Sequence, residues 1–590
     1  MPLTPKAFDT LVLLLEADGR LVTKEELMEA LWPGTFVSES NLTQTVFLVR
    51  KALGETGDQR YVVTVTGRGY RFSESLKRSV VPAATAAADP VTAASRTRWP
   101  IVAAASLALI VAAAGFVWRS FTTPANEPSN GRLMLAVLPF ENLTGDPGEE
   151  YLCDGMTEEM IAQVGRLNPA RLGVIARTSV MRYKDGAANL GEIGRALGVQ
   201  YVLEGSVRRD SDRLRITAQL IAVKDLTTLW SQQYDRPRTN LLTVQSEIAQ
   251  QIANEIQIQL GTRQTRATDL SARDYEVYDL YLQGRYYWNK RSTEGFKQAV
   301  QFFEAAIAKD PNYSRAYAGL ADAYALIASY GIARPSEVVP KARAAAERAI
   351  QLDESLAEAH TSLALITENH DWDWATAERQ FQRAIELNPN YSTARHWYAE
   401  YLGFQGRFDE ALAEIERARK LDPLSLIIAA DRGAILYFAR QYDQAIEQFR
   451  AVLEIEPTFS RATLIIPAYA AKGQFDEALE SIEKRRRWHE DPWPWAWAAN
   501  VHARAGRPEE ALRAFTKMQE LNRRDKQAPV PLLTTAYAGM GRRDEFFALL
   551  ENAVRERSSL VVTLKVDPVY DVLRGDPRFA ELLRRVRLAP

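Results

Sequence analysis

The stretch ALAEIERARKLDPLSLIIAADRGAILYFARQYDQAIEQFRAVLEIEP, residues 411–457, contains one unit of a repeated pattern and the start of the next. Alanines recur at intervals of 34, 34, 33 and 33 residues, at Ala377, Ala411, Ala445, Ala478 and Ala511. Three prolines are spaced by 34 residues each, at Pro389, Pro423 and Pro457. A fixed period of this length predicts pairs of helices that stack on their neighbours and share one continuous core.

A large apolar residue stands four positions after each alanine, at Phe381, Ile415, Phe449, Ile482 and Phe515. Earlier copies of the template contain Ala299, Phe303, Ala306 and Pro311, then Ala342, Ala346 and Ala349. Small residues let helices approach closely, and large ones fill the remaining space. Residues 275–557 resemble tetratricopeptide repeats, and residues 558–590 resemble the segment that caps similar repeat proteins. The resemblance implies an all-α solenoid whose concave groove binds peptides or other proteins.

Two aromatic clusters in the repeats could either line the concave groove or pack within the solenoid. Tyr286, Tyr287 and Trp288 form one cluster, and Trp493, Trp495 and Trp497 form the other. Packing within or between repeats is the favoured interpretation of both. The five histidines have no spacing typical of metal ligands and are interpreted as structural.

Residues 132–262 alternate between strand and helix patterns and predict an α/β domain. The segments AVLPFENLTGD, IGRALGVQYVLEGSVRR and LWSQQYDR resemble the amino-terminal domain of TolB and FlgO-like domains. Neither a phosphate-binding loop nor an H-E-x-x-H motif is present, which argues against nucleotide hydrolysis and zinc proteolysis. Five acidic side chains near one helix start are expected to interact with the helix dipole and solvent, not with a metal: Glu149, Glu150, Asp154, Glu158 and Glu159.

Residues 100–118 predict one transmembrane helix. The eighteen residues from Ile101 to Trp118 carry no charge and would span ~27 Å, close to the thickness of a bilayer core. More basic residues precede this segment than follow it, which predicts a bacterial inner-membrane protein with a cytoplasmic N-terminus and a periplasmic C-terminal region. Residues 79–98 are of low complexity and predict a linker.

Residues 1–78 predict three helices followed by a hairpin. The first helix lies in residues 4–16, and the second begins after Thr23, with Glu26 completing a capping box. The third has an apolar stripe of Leu42, Val46, Val49 and Leu53. YVVTVTGRGYRF alternates like a strand, turns, and returns. Residues 50–78 carry seven basic and three acidic side chains, so this stretch could face a polyanion.

The LTPK, EELMEALWP, VxxVRKALG and TVTGRGYRF segments resemble the winged helix of OmpR-type regulators, and more closely the membrane-anchored CadC and ToxR regulators. The resemblance implies a third helix in the major groove of double-stranded DNA and a wing at the minor groove or backbone. Carried over by position, the residues expected at DNA are Trp32, Ser40, Asn41, Gln44, Thr45, Leu48, Arg50, Lys51, Thr64, Thr66 and Arg68. For Arg50 an internal ion pair is an equal alternative, and for Trp32 core packing is favoured.

Two departures from the winged-helix pattern bear on affinity. The family has a small antiparallel sheet before the LTPK segment, whereas this chain starts at Met1, so either the start lies upstream or the module is trimmed. Phe47 and Leu48 stand where many relatives have arginines, so DNA binding is expected to depend on dimerisation.

The favoured function is a membrane-anchored transcriptional regulator that binds DNA inside the cell and senses a ligand or protein outside. The alternative is a periplasmic tetratricopeptide scaffold with a vestigial DNA-binding module. An enzyme is disfavoured because no nucleophile or acid–base group stands out. The lone Cys153 rules out an intrachain disulfide, and no cofactor or metal is expected.

Overall fold

The computed structural model describes residues 5–17, 20–31, 42, 45–46, 49–50, 53, 61–65, 69–72, 132–184, 188–210, 213–256, 272–486, 491–525 and 529–588. The chain divides into two compact units, Met1–Thr122 and Thr123–Pro590. Each unit is described by itself.

The first unit contains two helices at the predicted positions and a small sheet. Its elements are α1 (Pro5–Glu16), β1 (Val22–Thr23), α2 (Lys24–Leu31), β2 (Val62–Val65) and β3 (Gly69–Phe72), and residues 42, 45–46 and 49–50 are helical. The strands form an antiparallel sheet in the order β1-β3-β2. β2 and β3 are the predicted hairpin. β1 was not predicted, because two residues are too short to show an alternating pattern.

The prediction of a membrane-spanning helix is wrong on this structure. Within the described ranges, no helix is both long enough and apolar enough to cross a bilayer. The eighteen-residue helices Ala272–Asn289 and Pro335–Leu352, for example, each carry several charged side chains. Residues 100–118 themselves lie outside the described residues. The single-pass inner-membrane placement, with its periplasmic C-terminal region, is corrected by the same finding.

The second unit begins with an α/β domain, called here the sheet domain. Its strands are β4 (Leu133–Val137), β5 (Glu141–Asn142), β6 (Leu172–Val174), β7 (Tyr201–Asp210), β8 (Arg213–Ala222) and β9 (Thr227–Pro237). Its helices are α3 (Glu150–Leu167), α4 (Arg177–Val180), α5 (Leu190–Leu197) and α6 (Leu241–Glu255).

The sheet runs in the order β6-β4-β7-β8-β9, with β5 beside β7. β4 is parallel to both β6 and β7, whereas β7, β8 and β9 form an antiparallel meander. α3 and α6 cover one face, with Met156, Met160 and Ile248 fully buried against the sheet.

The described residues between 272 and 555 form eight consecutive pairs of helices, numbered here from 1 to 8. In order they are Ala272–Asn289 with Thr293–Lys309, Ser314–Ser329 with Pro335–Leu352, Ala357–Ile366 with Trp374–Leu387, Ser392–Phe404 with Phe408–Leu421, Leu426–Phe438 with Tyr442–Ile455, Ile465–Ala471 with Phe475–Arg486, Trp493–Arg504 with Pro508–Asp525, and Pro529–Met540 with Arg543–Arg555.

The repeated alanines and their apolar partners form the core of these pairs. Ala411 and Ala445 are fully buried, as are Ile415 and Phe449. The ring of Phe449 packs directly on Gly433, where an added Cβ would lie 2.7 Å from the ring. The periodicity therefore gave the right helices and the right core residues.

The C-terminal segment folds back onto the repeats. It contains the short 3-10 helices Ser559–Thr563 and Pro568–Leu573 and the helix Pro577–Arg585. The indole nitrogen of Trp374, in pair 3, donates to the carbonyl of Val586 over 3.0 Å. In pair 5, the Tyr437 hydroxyl lies 3.1 Å from the Asp567 carboxylate. The segment thus bridges the last pair to pairs in the middle of the solenoid.

Candidate nucleic-acid interface

The third helix of the first unit is anchored through one face. Leu42, Val46 and Val49 are at most 1% exposed and pack with Leu27 of α2 and Val62 of β2. Their spacing of four and three residues places them on one side of a helix. A helix with one buried face leaves its opposite face for water or a partner.

Thr45 lies on the buried side of this helix. It is 7% exposed, because it stands three residues after Leu42 and next to Val46. Thr45 was among the residues expected at DNA, and its burial leaves little of its side chain open to a partner. Of the other residues expected at DNA, the following lie outside the described residues: Trp32, Ser40, Asn41, Gln44, Leu48, Lys51, Thr66 and Arg68.

Arg50 connects the third helix to the hairpin. Its Nε and Nη2 donate hydrogen bonds to the carbonyl oxygen of Val62, at 3.3 and 2.9 Å. An internal ion pair and a phosphate contact were the two expectations for Arg50, and the structure shows an internal hydrogen bond to the backbone instead of an ion pair. Arg50 therefore fixes the helix relative to the hairpin strand that begins at Val62.

The hairpin is fixed to the rest of the unit by β1. Thr64 stands in β2 opposite Tyr70 of β3. Tyr70 and Phe72 are buried at 6% exposure each. At Gly69, a Cβ would lie 2.1 Å from the carbonyl oxygen of Val22, so only glycine lets β1 approach β3 this closely. The second glycine of the Gly-Arg-Gly sequence, Gly69, is thus explained by the close approach of β1.

The start of α2 has the predicted capping box. The amide of Glu26 donates to the Thr23 hydroxyl over 3.1 Å, and the amide of Thr23 donates to the Glu26 carboxylate over 2.9 Å. Arg20 also pairs with Glu26 at 3.1 Å. The hydrogen bond from Thr23, followed by the one from Arg20, lowers the pKa of Glu26.

The acidic side chains at the start of α3 mostly bind the repeats and the sheet domain, instead of solvent as expected. Glu158 accepts from Nε of Arg285, in pair 1, at 2.8 Å, and Glu159 pairs with Arg315 of pair 2. Burial alone would raise the pKa of Glu158, but the charges of Arg285 and Arg177, together with hydrogen bonds from Arg285 and Asn289, outweigh burial and lower the pKa. No local pattern shows these pairs, because the partners are 127 and 156 residues apart.

Two loops of the repeats also bind the sheet domain. The Asn390 amide, between pairs 3 and 4, donates to the carbonyls of Gly165 and Leu172 at 2.7 and 3.1 Å. Between pairs 4 and 5, the Leu424 amide donates to the Ser179 hydroxyl over 2.9 Å. The sheet domain is therefore held to the first four helix pairs by specific polar contacts.

One charged cluster lies deep in the repeats. Nε2 of His396 lies 2.8 Å from the Asp431 carboxylate, and Glu400 lies one turn further along the helix of His396. Their possible ligand atoms lie within 4.8 Å of one another, which is close enough to hold a metal ion. Within the described part of the chain, no other group of three such residues meets this distance. Arg461, however, bonds both carboxylates. A guanidinium in that position favours an internal ion network over a metal site.

The network has shifted protonation equilibria. Burial and the nearby Asp431 carboxylate raise the pKa of Glu400 to about 7. Burial opposes the charged form of His396, but the hydrogen bond to Asp431 and the charge of Glu400 raise its pKa overall. The interpretation of His396 as structural agrees with its place in this network.

The aromatic clusters pack within the repeats. Trp288 is 3% exposed, and the ring of Tyr287 stacks on Phe302 with centroids 5.3 Å apart. Trp495 is partly buried beneath the guanidinium of Arg486, 3.8 Å from the ring centroid. These positions agree with the packing interpretation favoured from the sequence.

Three regions of the chain match known protein families. Residues 1–72 match the C-terminal domain of transcriptional regulatory proteins. Residues 131–251 match the second domain of HilA/YgeH-like transcriptional regulators, and residues 381–413 match a tetratricopeptide repeat. The resemblance of the sheet domain to TolB and FlgO is not confirmed by these matches.

Curated relatives cover different parts of the chain. Putative adenylate cyclase 3 of Rhizobium meliloti is 34% identical over 235 residues, and the match covers 39% of either chain. Transcriptional regulator HilA of Salmonella typhi is 24% identical over 446 residues, 75% of this chain and 70% of its own length. Sensory transduction protein BceR of Halalkalibacterium halodurans is 36% identical over 73 residues, 12% of this chain and 32% of its own.

These matches support a DNA-binding transcriptional regulator with an OmpR-type winged helix, a HilA-like second domain and a tetratricopeptide region. The regulators among the matches favour a non-enzymatic protein, and the relative named as a cyclase aligns over 39% of its own length.

Proposed function

We propose that this protein regulates transcription by placing the third helix of its winged module in the major groove of double-stranded DNA, with the hairpin tip at the minor groove or backbone. The observation that carries the proposal is that Leu42, Val46 and Val49 bury one face of that helix. A recognition helix needs this arrangement, because one face must hold the core while the other reads the DNA.

The residues assigned to DNA in this proposal divide into two roles. On the third helix, Ser40, Asn41, Gln44 and Leu48 are assigned to bases or phosphates, and Lys51 to phosphates. On the hairpin, Thr64, Thr66 and Arg68 are assigned to the backbone or minor groove. Trp32 is assigned a place beside the DNA backbone.

Two described residues receive narrower roles. The bonds from Arg50 to the Val62 carbonyl support a positioning role for Arg50, which keeps the helix and the hairpin in one fixed geometry so that both reach DNA together. Any phosphate contact by Arg50 would add to that role. Thr45 is 7% exposed, so a contact with DNA would use only the edge of its side chain.

The repeat region is assigned to a protein or peptide ligand, whose binding would control the DNA-binding module. The tetratricopeptide match supports this part of the proposal. So does the alignment with a protein named as a transcriptional regulator over 75% of this chain, a length that includes much more than the winged module.

A gel-shift titration of the full chain against the DNA upstream of its own gene tests the DNA-binding proposal. Arg68→Ala should weaken binding about tenfold and reduce the slope of log K against log salt by about 1, as loss of one phosphate contact would. Gln44→Ala should weaken binding to a footprinted site more than binding to unrelated DNA.

Arg20→Ala is the matched control. It also removes one positive charge from the module, but Arg20 is an exposed residue paired with Glu26 at the start of α2. Equal losses in the Arg20 and Arg68 variants would mean that only net charge matters. Absence of salt-sensitive binding to any DNA would refute the proposal.

A further inference from the structure

A cavity of about 670 Å³ lies between helix pairs 5 and 6. Its walls are the second helix of pair 5, Tyr442–Ile455, and both helices of pair 6, Ile465–Ala471 and Phe475–Arg486. Pockets that hold small organic molecules usually measure about 300–1,000 Å³. The cavity is therefore large enough for a ligand.

Pair 6 begins irregularly beside the cavity. Its first five residues, Ser460–Leu464, form a 3-10 turn, and the helix that follows has seven residues. The corresponding helix of pair 5, Leu426–Phe438, has thirteen. Thr463, Ile465 and Ile466, at the change from the 3-10 turn to the helix, line the cavity.

The floor of the cavity is apolar. Leu453 and Pro457 line it from pair 5 and the loop that follows, and Ile465, Ile466 and Tyr469 line it from pair 6. Ile465, Ile466 and Tyr469 are at most 5% exposed to solvent. A hydrocarbon chain placed on this floor would gain about 25 cal/mol for each Å² of apolar surface removed from water.

Two guanidinium groups line the cavity, and within the described residues neither donates a hydrogen bond to a carboxylate. Nε of Arg450 donates to the neutral hydroxyl of Tyr469 over 2.9 Å, and the guanidinium carbon lies 5.6 Å from the centre of that ring. Arg485 forms an ion pair with Asp491 at 3.9 Å, which is longer than a hydrogen bond. Both cations line the cavity.

Three acidic residues also line the cavity, and two of them have partners within the same helix or the turn before it. Glu480 pairs with Lys484 at 2.7 Å, and Glu477 accepts from the Gln474 amide at 3.0 Å. Glu454 is an exposed residue. Arg450, in contrast, is held in place by Tyr469, and a preorganised donor favours an anionic ligand.

We propose that this cavity binds a small monocarboxylic acid with a hydrocarbon chain. The carboxylate lies against the guanidinium groups of Arg450 and Arg485, and the chain lies on Leu453, Ile465 and Ile466. The site is separate from the winged module, so its occupancy and DNA binding are measured independently.

Isothermal titration calorimetry of the full chain with decanoate tests the site. Decanoate should bind one to one with a dissociation constant in the micromolar range, and decanol and decylamine should bind at least tenfold more weakly. Arg450→Gln should weaken decanoate binding at least tenfold, because it keeps the size of the polar end but removes the charge. Ser481→Trp, which fills the cavity from the second helix of pair 6, should abolish binding.

Arg432→Gln is the matched control, since Arg432 also binds a neutral acceptor, Gln448 at 2.8 Å, but does not line the cavity. It should change the decanoate affinity less than twofold. Thermal unfolding of each variant checks that the repeats remain folded. Three results would each overturn the proposal: no saturable decanoate binding, equal affinity for the acid and the amine, or unchanged affinity in Arg450→Gln.

Discussion

The second unit has two kinds of internal interface, which differ in the side chains that form them. Neighbouring helix pairs meet through alanine and large apolar side chains, such as Ala445 and Phe449, both 0% exposed. The sheet domain meets the repeats through ion pairs and hydrogen bonds, such as Glu158 with Arg285. The first kind depends on shape and recurs with the period of the sequence. The second depends on individual charged partners and occurs once.

Phe449→Ala is expected to have the largest effect of the changes considered. Removal of a fully buried ring that packs on Gly433 should cost about 3–5 kcal/mol of stability. Hydrogen exchange of the backbone amides in Leu426–Ile455 measures the loss. Protection should fall in this pair and in its neighbours, because each pair contacts only the adjacent ones, and should be unchanged in distant pairs. Leu512→Ala, at a side chain 58% exposed, is the control and should change stability by less than about 0.5 kcal/mol. Similar losses in the two variants would contradict a shape-based interface.

Glu158→Gln should have the next largest effect, and in a different place. The change leaves Arg285 with Asp322 at 3.1 Å as its remaining carboxylate and should cost about 2–3 kcal/mol. Faster hydrogen exchange should appear in α3 and in Ala272–Asn289, which this pair joins. Glu416→Gln breaks a more exposed pair with Arg419 and should cost less than about 1 kcal/mol. If α3 kept its protection, the ion pair would not be what holds the sheet domain.

These two interfaces also differ in how far sequence alone could predict them. The core position of Phe449 follows from a period that any reader can count. The pairing of Glu158 with Arg285 does not, because it depends on how the sheet domain lies on the repeats, and the acidic side chains near α3 were accordingly expected to face solvent. Local and periodic features were predicted, whereas contacts between distant segments were not.

The winged module shows the same limit at smaller scale. The capping box of Thr23 and Glu26 was predicted from four residues and is confirmed. The burial of Thr45 was not predicted, because a short polar residue beside Val46 can belong to either face of a helix in a sequence pattern. The hydrogen bond from Arg50 to the Val62 carbonyl could not be predicted, because it depends on where the hairpin strand, twelve residues further along the chain, lies relative to the helix.

The charged network at Glu400 should give a smaller, pH-dependent effect. The pKa of Glu400 rises from 4.5 to about 7 on folding, so the stability it contributes is fully present below about pH 4.5 and is lost as the pH rises through 7. Glu400→Gln cannot ionise. The free energy of unfolding of Glu400→Gln, minus that of the wild type, should therefore be about 1–2 kcal/mol larger at pH 8 than at pH 5.

Urea unfolding of both proteins across this pH range measures the difference. His396 also has a raised pKa and loses its contribution in the same direction; because the charge of Glu400 helps to raise that pKa, the measured difference includes the loss of this coupling. Glu378→Gln removes a carboxylate that pairs with Arg407 outside the cluster, and serves as the control. A pH-independent difference between wild type and Glu400→Gln would mean that the Glu400 carboxylate is already ionised in the folded state at pH 5.

The smallest effect is expected from loss of a helix N-cap, an interaction that occurs in both compact units. Thr23 caps α2 in the first unit, and Asp373 caps Trp374–Leu387 in the repeats by accepting from the Thr376 amide at 3.2 Å. Replacing either with alanine should cost about 1 kcal/mol locally. The shift in melting temperature should nevertheless differ, since a given loss moves the transition of a small unit by about 4–8 °C and that of a larger one by about 2–4 °C or less. Calorimetry of the full chain, with hydrogen exchange to assign each transition, should show the larger shift for Thr23→Ala in the transition of Met1–Thr122. If both variants shifted one shared transition by the same amount, the two units would unfold together. The two units would then not differ in their melting temperatures.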